Sequence, residues 1–142
     1  MRWQHGEVVA GLYLADSPDT VWAEWYRWLA EAGLPPMHAL PRDLWRWEIT
    51  LPRVADLSTA ERLAELGLGL PEPGRRDWAD FQRVGDRLYE DGWPALLAPS
   101  AARPEGLVLC VFREVARPPG VQPVPPPERF DEPPGPPVRM RT

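Results

Sequence analysis

Half of this chain's 20 prolines lie from Arg117 onward, and they include Pro125-Pro126-Pro127 and Pro133-Pro134-Gly135-Pro136-Pro137. Proline has no amide hydrogen to donate, and its ring clashes with the preceding helical turn. That segment therefore forms neither a helix nor a central strand. It reads as extended, polyproline-like chain, either lying on a folded domain or hanging free. The spacing of Pro123 and Pro126 fits a PxxP ligand, although a stiff extended tail explains it without any partner. The expected division is a folded domain over residues 1–116 and a proline-rich segment over 117–142, with no internal repeat.

A chain of 142 residues suffices for one domain with a true core and is short for two. No apolar run reaches the roughly 18 residues that cross a bilayer, and no basic leader precedes an apolar stretch. The expected compartment is the cytoplasm. A single cysteine, Cys110, has no internal disulfide partner, in keeping with a reducing location. All 16 basic residues are arginines. Without lysine there is neither Schiff-base chemistry nor a P-loop lysine. A net charge of −5 argues against a broad nucleic-acid surface. It leaves room for a local arginine pocket that recognises phosphate through paired donors.

The pattern along the chain predicts alternating short elements. Val8 to Ala15 suits a strand. A helix follows, with Ser17 as cap, Pro18 in its first turn and Gly33 at its end. Leu44 to Leu51 alternates as a second strand. Ser58-Thr59-Ala60-Glu61 resembles a capping box that opens a helix ending near Gly67. Asp77 introduces a helix to about Asp91, with Trp78, Phe81, Val84 and Leu88 on one face. Ala95–Ala98 and Leu107–Phe112 read as short apolar strands. This irregular order predicts an α+β domain rather than a doubly wound sheet.

Candidate chemistry sits at a few positions. At about 100° per residue, Val21, Trp22, Trp25, Trp28, Leu29 and Ala32 form an apolar stripe with Glu24 at its edge, where a carboxylate can point into a cleft. Periodicity alone also allows a solvated flank residue at Glu24, and it makes Trp22, Trp25 and Trp28 core aromatics. Ser100 follows Pro99 at a strand end, where a serine capping its own turn is the plain alternative. It lacks the glycines of a nucleophile elbow, and the only histidines, His5 and His38, carry no local triad signature. Gly67-Leu68-Gly69 misses the third glycine of a dinucleotide fingerprint. One cysteine and two distant histidines give no zinc spacing. Glu24 with Glu48 would suit a glycosidase only at a separation that sequence does not supply.

Taken together, Arg2-Trp3, Tyr13 within GLYLADSP, Glu24 within TVWAEWYR, Gln82-Arg83-Val84-Gly85-Asp86 and Ser100 within LLAPSAAR resemble the RES domain in their order and spacing. That family is named for an Arg, a Glu and a Ser, and it supplies the toxin of bacterial RES/Xre toxin–antitoxin pairs. The resemblance runs from Arg2 to about Phe112. It implies an ADP-ribosyltransferase-like fold, a split β core with surrounding helices, and an enzyme that breaks the nicotinamide–ribose bond of NAD by hydrolysis, phosphorolysis or ADP-ribosyl transfer. By the same resemblance Glu24 stabilises the ribosyl cation, Ser100 orients ribose or phosphate, Arg2 binds pyrophosphate and Tyr13 meets the nicotinamide. NAD is then the substrate and no metal is needed. An Xre-like antitoxin is the expected partner, with nucleic acid and membrane excluded as direct partners and a homodimer or toxin–antitoxin hetero-oligomer allowed.

Family members carry a further arginine, often followed by tyrosine, upstream of the Gly-Arg-Trp segment that Arg2-Trp3 matches. The second expectation is therefore a truncated, catalytically inactive RES domain acting as a binding module. A third is a serine hydrolase built on Ser100.

Overall fold

β1 (Ala10–Ala15) and α1 (Pro18–Ala32) open the fold in the computed structural model, which describes residues 1–4, 6, 9–113 and 118–141. A 3-10 turn (Pro36–Ala39), β2 (Arg42–Ile49), β3 (Ala55–Asp56) and α2 (Ala60–Glu65) follow. The chain continues through α3 (Trp78–Glu90), β4 (Ala95–Pro99), β5 (Leu107–Arg113) and β6 (Val121–Phe130). The domain is α+β, with its strands divided between two sheets. One is four-stranded in the order β1-β5-β4-β3, antiparallel except for the β3–β4 pair. The other is the antiparallel pair β2-β6.

Local chemistry sets the helix ends. Ser17 accepts the Thr20 amide at 3.2 Å, Pro18 occupies the first turn, and Gly33 closes α1 in the left-handed region at φ 66°. In α2 the cap is Thr59, which accepts the Arg62 amide, so the expected box on Ser58 does not form. The Asp56 carboxylate holds both the amide and the hydroxyl of Ser58 instead. Asp77 precedes α3, but its carboxylate makes no cap and turns to Arg2.

The four-stranded sheet is covered on both faces, which is why β4 and β5 read as nearly continuous apolar runs. Side chains alternate across each strand. Tyr13, Leu96, Ala98, Cys110 and Phe112 face a core completed by Trp3, Leu63 and Phe81. Leu12, Leu14, Ala95, Leu109 and Val111 face the second sheet through Trp47, Ile49 and Val121. A register shift between Leu44 and Arg46 changes the phase of β2. Leu44 therefore joins Trp22, Trp25 and Leu29 of α1, while Trp47 and Ile49 join the other core.

Trp28 departs from the expected stripe. It is 41% exposed, with the Arg42 guanidinium 6.0 Å over its ring. It lies about 120° around the helix from Trp22, beyond the contact with Leu44 and Phe130. The proline-rich segment is extended, and its Val121–Phe130 portion pairs with β2. A two-stranded sheet leaves each strand one unpaired edge, so prolines that cannot donate are accommodated there.

Gly85 permits the closest approach in the fold. A Cβ there would fall 1.7 Å from the Trp3 carbonyl oxygen. The same stretch of α3 holds Met1, whose carbonyl accepts from Gln82 at 2.8 Å. Gln82 and Gly85 of the Gln82–Asp86 segment thus seat the first residues of the chain. Gly85→Ala is expected to destabilise the protein by roughly 1–3 kcal/mol through overpacking. Urea denaturation measures that loss, and the tryptophan fluorescence of the native state should change with it as Trp3 is displaced.

Candidate functional site

Glu24 and Ser100, 76 residues apart in sequence, meet in space: the Ser100 hydroxyl donates to Glu24 Oε1 at 2.6 Å. The contact follows from the fold. α1 leans on the turn that follows β4, and Gly106 at the end of that turn lies so close that a Cβ would be 2.1 Å from Thr20 Oγ1. Thr20 and Ala23 are wholly buried on that side of the helix, while Trp22, Trp25 and Leu29 are buried on the other. Glu24 lies between the two contacts and the open side, with its side chain 24% exposed.

Ser100 is 1% exposed, and its oxygen also accepts the amides of Ala102 at 3.2 Å and Arg103 at 3.0 Å. It therefore caps its own turn, as the plain alternative expects, and bonds Glu24 at the same time. Its hydrogen is committed to a carboxylate rather than to a histidine base. His38 is exposed on the 3-10 turn, and His5 lies outside the described residues. Nothing among the described residues assembles a nucleophilic triad on Ser100. Glu48 is exposed on β2 and is not among the hydrogen-bond partners of Glu24.

Arg27 completes the constellation and was not singled out from sequence. Its Nε and Nη2 donate to Glu24 Oε2 at 2.9 and 2.7 Å, and its Nη1 donates to Glu31 Oε1 at 2.5 Å. Glu31 Oε1 also accepts the Gly74 amide at 3.2 Å. Burial works to lower the Arg27 pKa, but the two carboxylates outweigh it and hold the guanidinium above its usual value. The signal was present: Glu24, Arg27 and Glu31 are spaced i, i+3, i+7 on one helix face. A shallow cleft lies beside them, lined by Arg27, Ala30, Glu31, Pro73 and Gly74.

Arg2 and Tyr13 occupy the other flank. Arg2 is 7% exposed. Its Nη1 donates to Asp77 at 3.0 Å, its Nη2 donates to the carbonyls of Glu72 and Gly74, and its guanidinium lies 5.1 Å from the Phe81 ring. It thereby fixes the 72–77 segment that supplies one wall of the cleft, and it lies within electrostatic reach of Arg27 and Glu24. Burial lowers the Arg2 pKa, partly opposed by Asp77. Tyr13 accepts the Trp3 amide on its phenol oxygen at 3.1 Å and stands beside Cys110 in the core. Burial raises the pKa of both groups, Cys110 to about 12. The structure thus joins Glu24 directly to Ser100, Arg2 to the 72–77 segment, and Tyr13 to Trp3.

The family model of the RES domain matches residues 1–136. Among solved structures, the chain is similar to one in the crystal structure of the M. tuberculosis MbcT–MbcA toxin–antitoxin complex. The TM-score is 0.73 at 24% identity, covering 93% of this chain and 71% of that one, a likeness of fold. No curated protein matches the chain.

Two outcomes follow from this geometry. Ser100→Ala removes the donor to Glu24 and leaves the Ala102 and Arg103 amides short of an acceptor, which should cost roughly 1–3 kcal/mol in chemical denaturation. Cys110 should resist a thiol reagent at pH 8 until the protein unfolds. Its folded pKa lies above the ordinary 9.0, so the fold is favoured fully below that value. Stability should then fall as pH rises from 9.0 toward about 12, read by thermal melts across that window.

Proposed function

The chain belongs to the RES-domain family, and from that premise we propose that it is a toxin that cleaves the nicotinamide–ribose bond of NAD and is held in check by a cognate antitoxin. The observation that carries the reading is the Glu24 carboxylate, fixed by the Ser100 hydroxyl at 2.6 Å and by Arg27, which lines a shallow cleft. As nicotinamide leaves with the bonding pair, positive charge develops on the ribose C1′. A pre-oriented carboxylate at the ribose offsets that charge and accepts its hydroxyl protons as hydrogen bonds. Water, phosphate or a protein side chain then adds at C1′ and loses its proton.

In this reading Glu24 is the catalytic residue, and Ser100 orients it. The polar groups of Arg2 and Tyr13 are occupied within the protein, so both are assigned to holding the segments that flank the carboxylate. A direct grip on pyrophosphate or nicotinamide would require those bonds to exchange. NAD is the substrate, and no metal enters the scheme. The cytoplasm, where NAD is abundant, is the working compartment; no helix among the described residues is long and apolar enough to cross a membrane. An Xre-like antitoxin would bind over the cleft, by analogy with the toxin–antitoxin complex whose fold this chain shares.

One observation favours a second reading, a binding module without turnover. Both oxygens of Glu24 are already hydrogen-bonded within the protein. Cellular NAD after brief induction separates the two. The toxin reading expects NAD to fall with the native chain and to hold steady with Glu24→Gln. Unchanged NAD with soluble, folded native protein would leave the binding module.

A further inference from the structure

The Glu24 carboxylate is closed in the free protein. A carboxylate offers about four acceptor positions. Oε2 receives both Arg27 donors, and Oε1 receives Ser100 together with a longer contact from the Ala102 amide at 3.4 Å. A ribose hydroxyl can bond this carboxylate only if one of these donors yields. Ser100 is held in a buried turn by two backbone amides, so it is poorly placed to move. Arg27 is the donor with somewhere else to go. A guanidinium has five N–H groups. Three are used by Glu24 and Glu31, which leaves one on each terminal nitrogen without a partner among the described residues. The side chain is 12% exposed and lines the cleft between α1 and the 72–77 segment.

We propose that Arg27 is the phosphate-binding residue of this site: a substrate pyrophosphate seated in the cleft takes its terminal donors, draws the guanidinium off Glu24 Oε2 and so opens the catalytic carboxylate to the ribose. The proposal rests on the NAD reading above and deepens it. A guanidinium is matched to phosphate by its paired donors, and each charge-assisted bond is stronger than a neutral one. Glu31 keeps the other side of Arg27 anchored, and the Gly74 amide pins Glu31 in turn. The anionic ligand must sit beside that carboxylate, and a second cation offsets it. Arg75 follows Gly74 in sequence, is exposed, lies 5.1 Å over the Trp78 ring, and has no carboxylate partner among the described residues. Arg2, expected by the family resemblance to bind pyrophosphate, has its terminal nitrogens engaged by Asp77 and two carbonyls. Arg27 is the guanidinium that reaches both the carboxylate and the cleft.

The test compares two substrates with the same scissile bond, NAD and nicotinamide riboside, which has no phosphate. Nicotinamide release is measured for the native chain, Arg27→Lys, Arg27→Gln and Glu24→Gln, each checked for folding by circular dichroism. Arg27→Gln should lose on the order of 10- to 100-fold in kcat/KM on NAD, with a raised KM, and less than about threefold on the riboside. Arg27→Lys keeps the charge without the fork and should fall between, and it carries the comparison if the glutamine variant does not fold. Equal losses on both substrates would mean that Arg27 acts only through Glu24 and would overturn the proposal, as would no loss on either. Pyrophosphate binding by calorimetry needs no turnover and separates this proposal from the parent reading. If the native chain cleaves neither substrate, the NAD reading fails. Arg27 then stands as a phosphate site only if Arg27→Gln or Arg27→Lys abolishes or weakens that binding, and unchanged binding rejects it.

Discussion

A largely buried carboxylate has to be compensated, and in this fold the compensation of Glu24 ties together elements far apart in the chain. Losing water around an ionised group costs several kcal/mol unless hydrogen bonds and an opposite charge replace it. Here the replacements come from two directions: the Ser100 hydroxyl from the turn after β4, and the Arg27 fork from the same helix. The first requires α1 to lie against the Ser100–Gly106 turn at a distance that only a glycine at 106 permits. The second requires Arg27 to be buried, which in turn demands Glu31 and, behind it, the Gly74 amide. From Gly74 the network reaches Arg2, whose guanidinium holds the Gly74 and Glu72 carbonyls. One buried charge thereby couples the β4–β5 turn, α1, the 72–77 segment and the first residues of the chain.

The opposite flank depends on packing rather than charge. Trp3 is 1% exposed and meets Phe81 edge-on, with ring centroids 4.9 Å apart. That contact exists because α3 presents Gly85 where any side chain would strike the Trp3 backbone. Tyr13 finishes the seat by accepting the Trp3 amide. Arg2 is thus placed by its neighbours on both sides, and its own bonds then place the cleft wall. The order of dependence runs from core packing to loop position to site geometry, so a change in the core at Gly85 reaches the cleft without touching it.

Much of this was legible in the sequence where short-range chemistry decides. The ends of α1 follow from Ser17, Pro18 and Gly33, and the α+β character follows from the irregular order of short elements. The Glu24–Ser100 pair was legible only through the family's spacing of motifs, because periodicity leaves Glu24 a flank residue and Pro99-Ser100 a turn. What was not legible depended on partners distant in sequence. Trp28 continues the stripe of Trp22 and Trp25 on a helical wheel, but Leu44 and Phe130 cover only the first two. Ser58 resembles a cap until Asp56, two residues earlier, captures it. The pairing of β6 with β2 is invisible to proline-based reasoning, which states where an amide cannot donate and not which edge remains free. Arg2 was expected by family resemblance to bind pyrophosphate, and no local signal announced its bonds to Asp77 and to the Glu72 and Gly74 carbonyls.

The all-arginine composition acquires a structural meaning at these positions. Arg27 bridges two carboxylates, sending two donors to one and a third to the other in directions fixed by a planar group. Arg2 combines a carboxylate, two carbonyls and an aromatic face around one guanidinium. An ammonium is a point charge with three donors and heavy hydration, and it could satisfy part of either arrangement but not its geometry. Burial sharpens the contrast, because a lysine there would be pushed toward its neutral form, whereas arginine stays charged. A site built around a largely buried carboxylate therefore depends on guanidinium at each of these two positions.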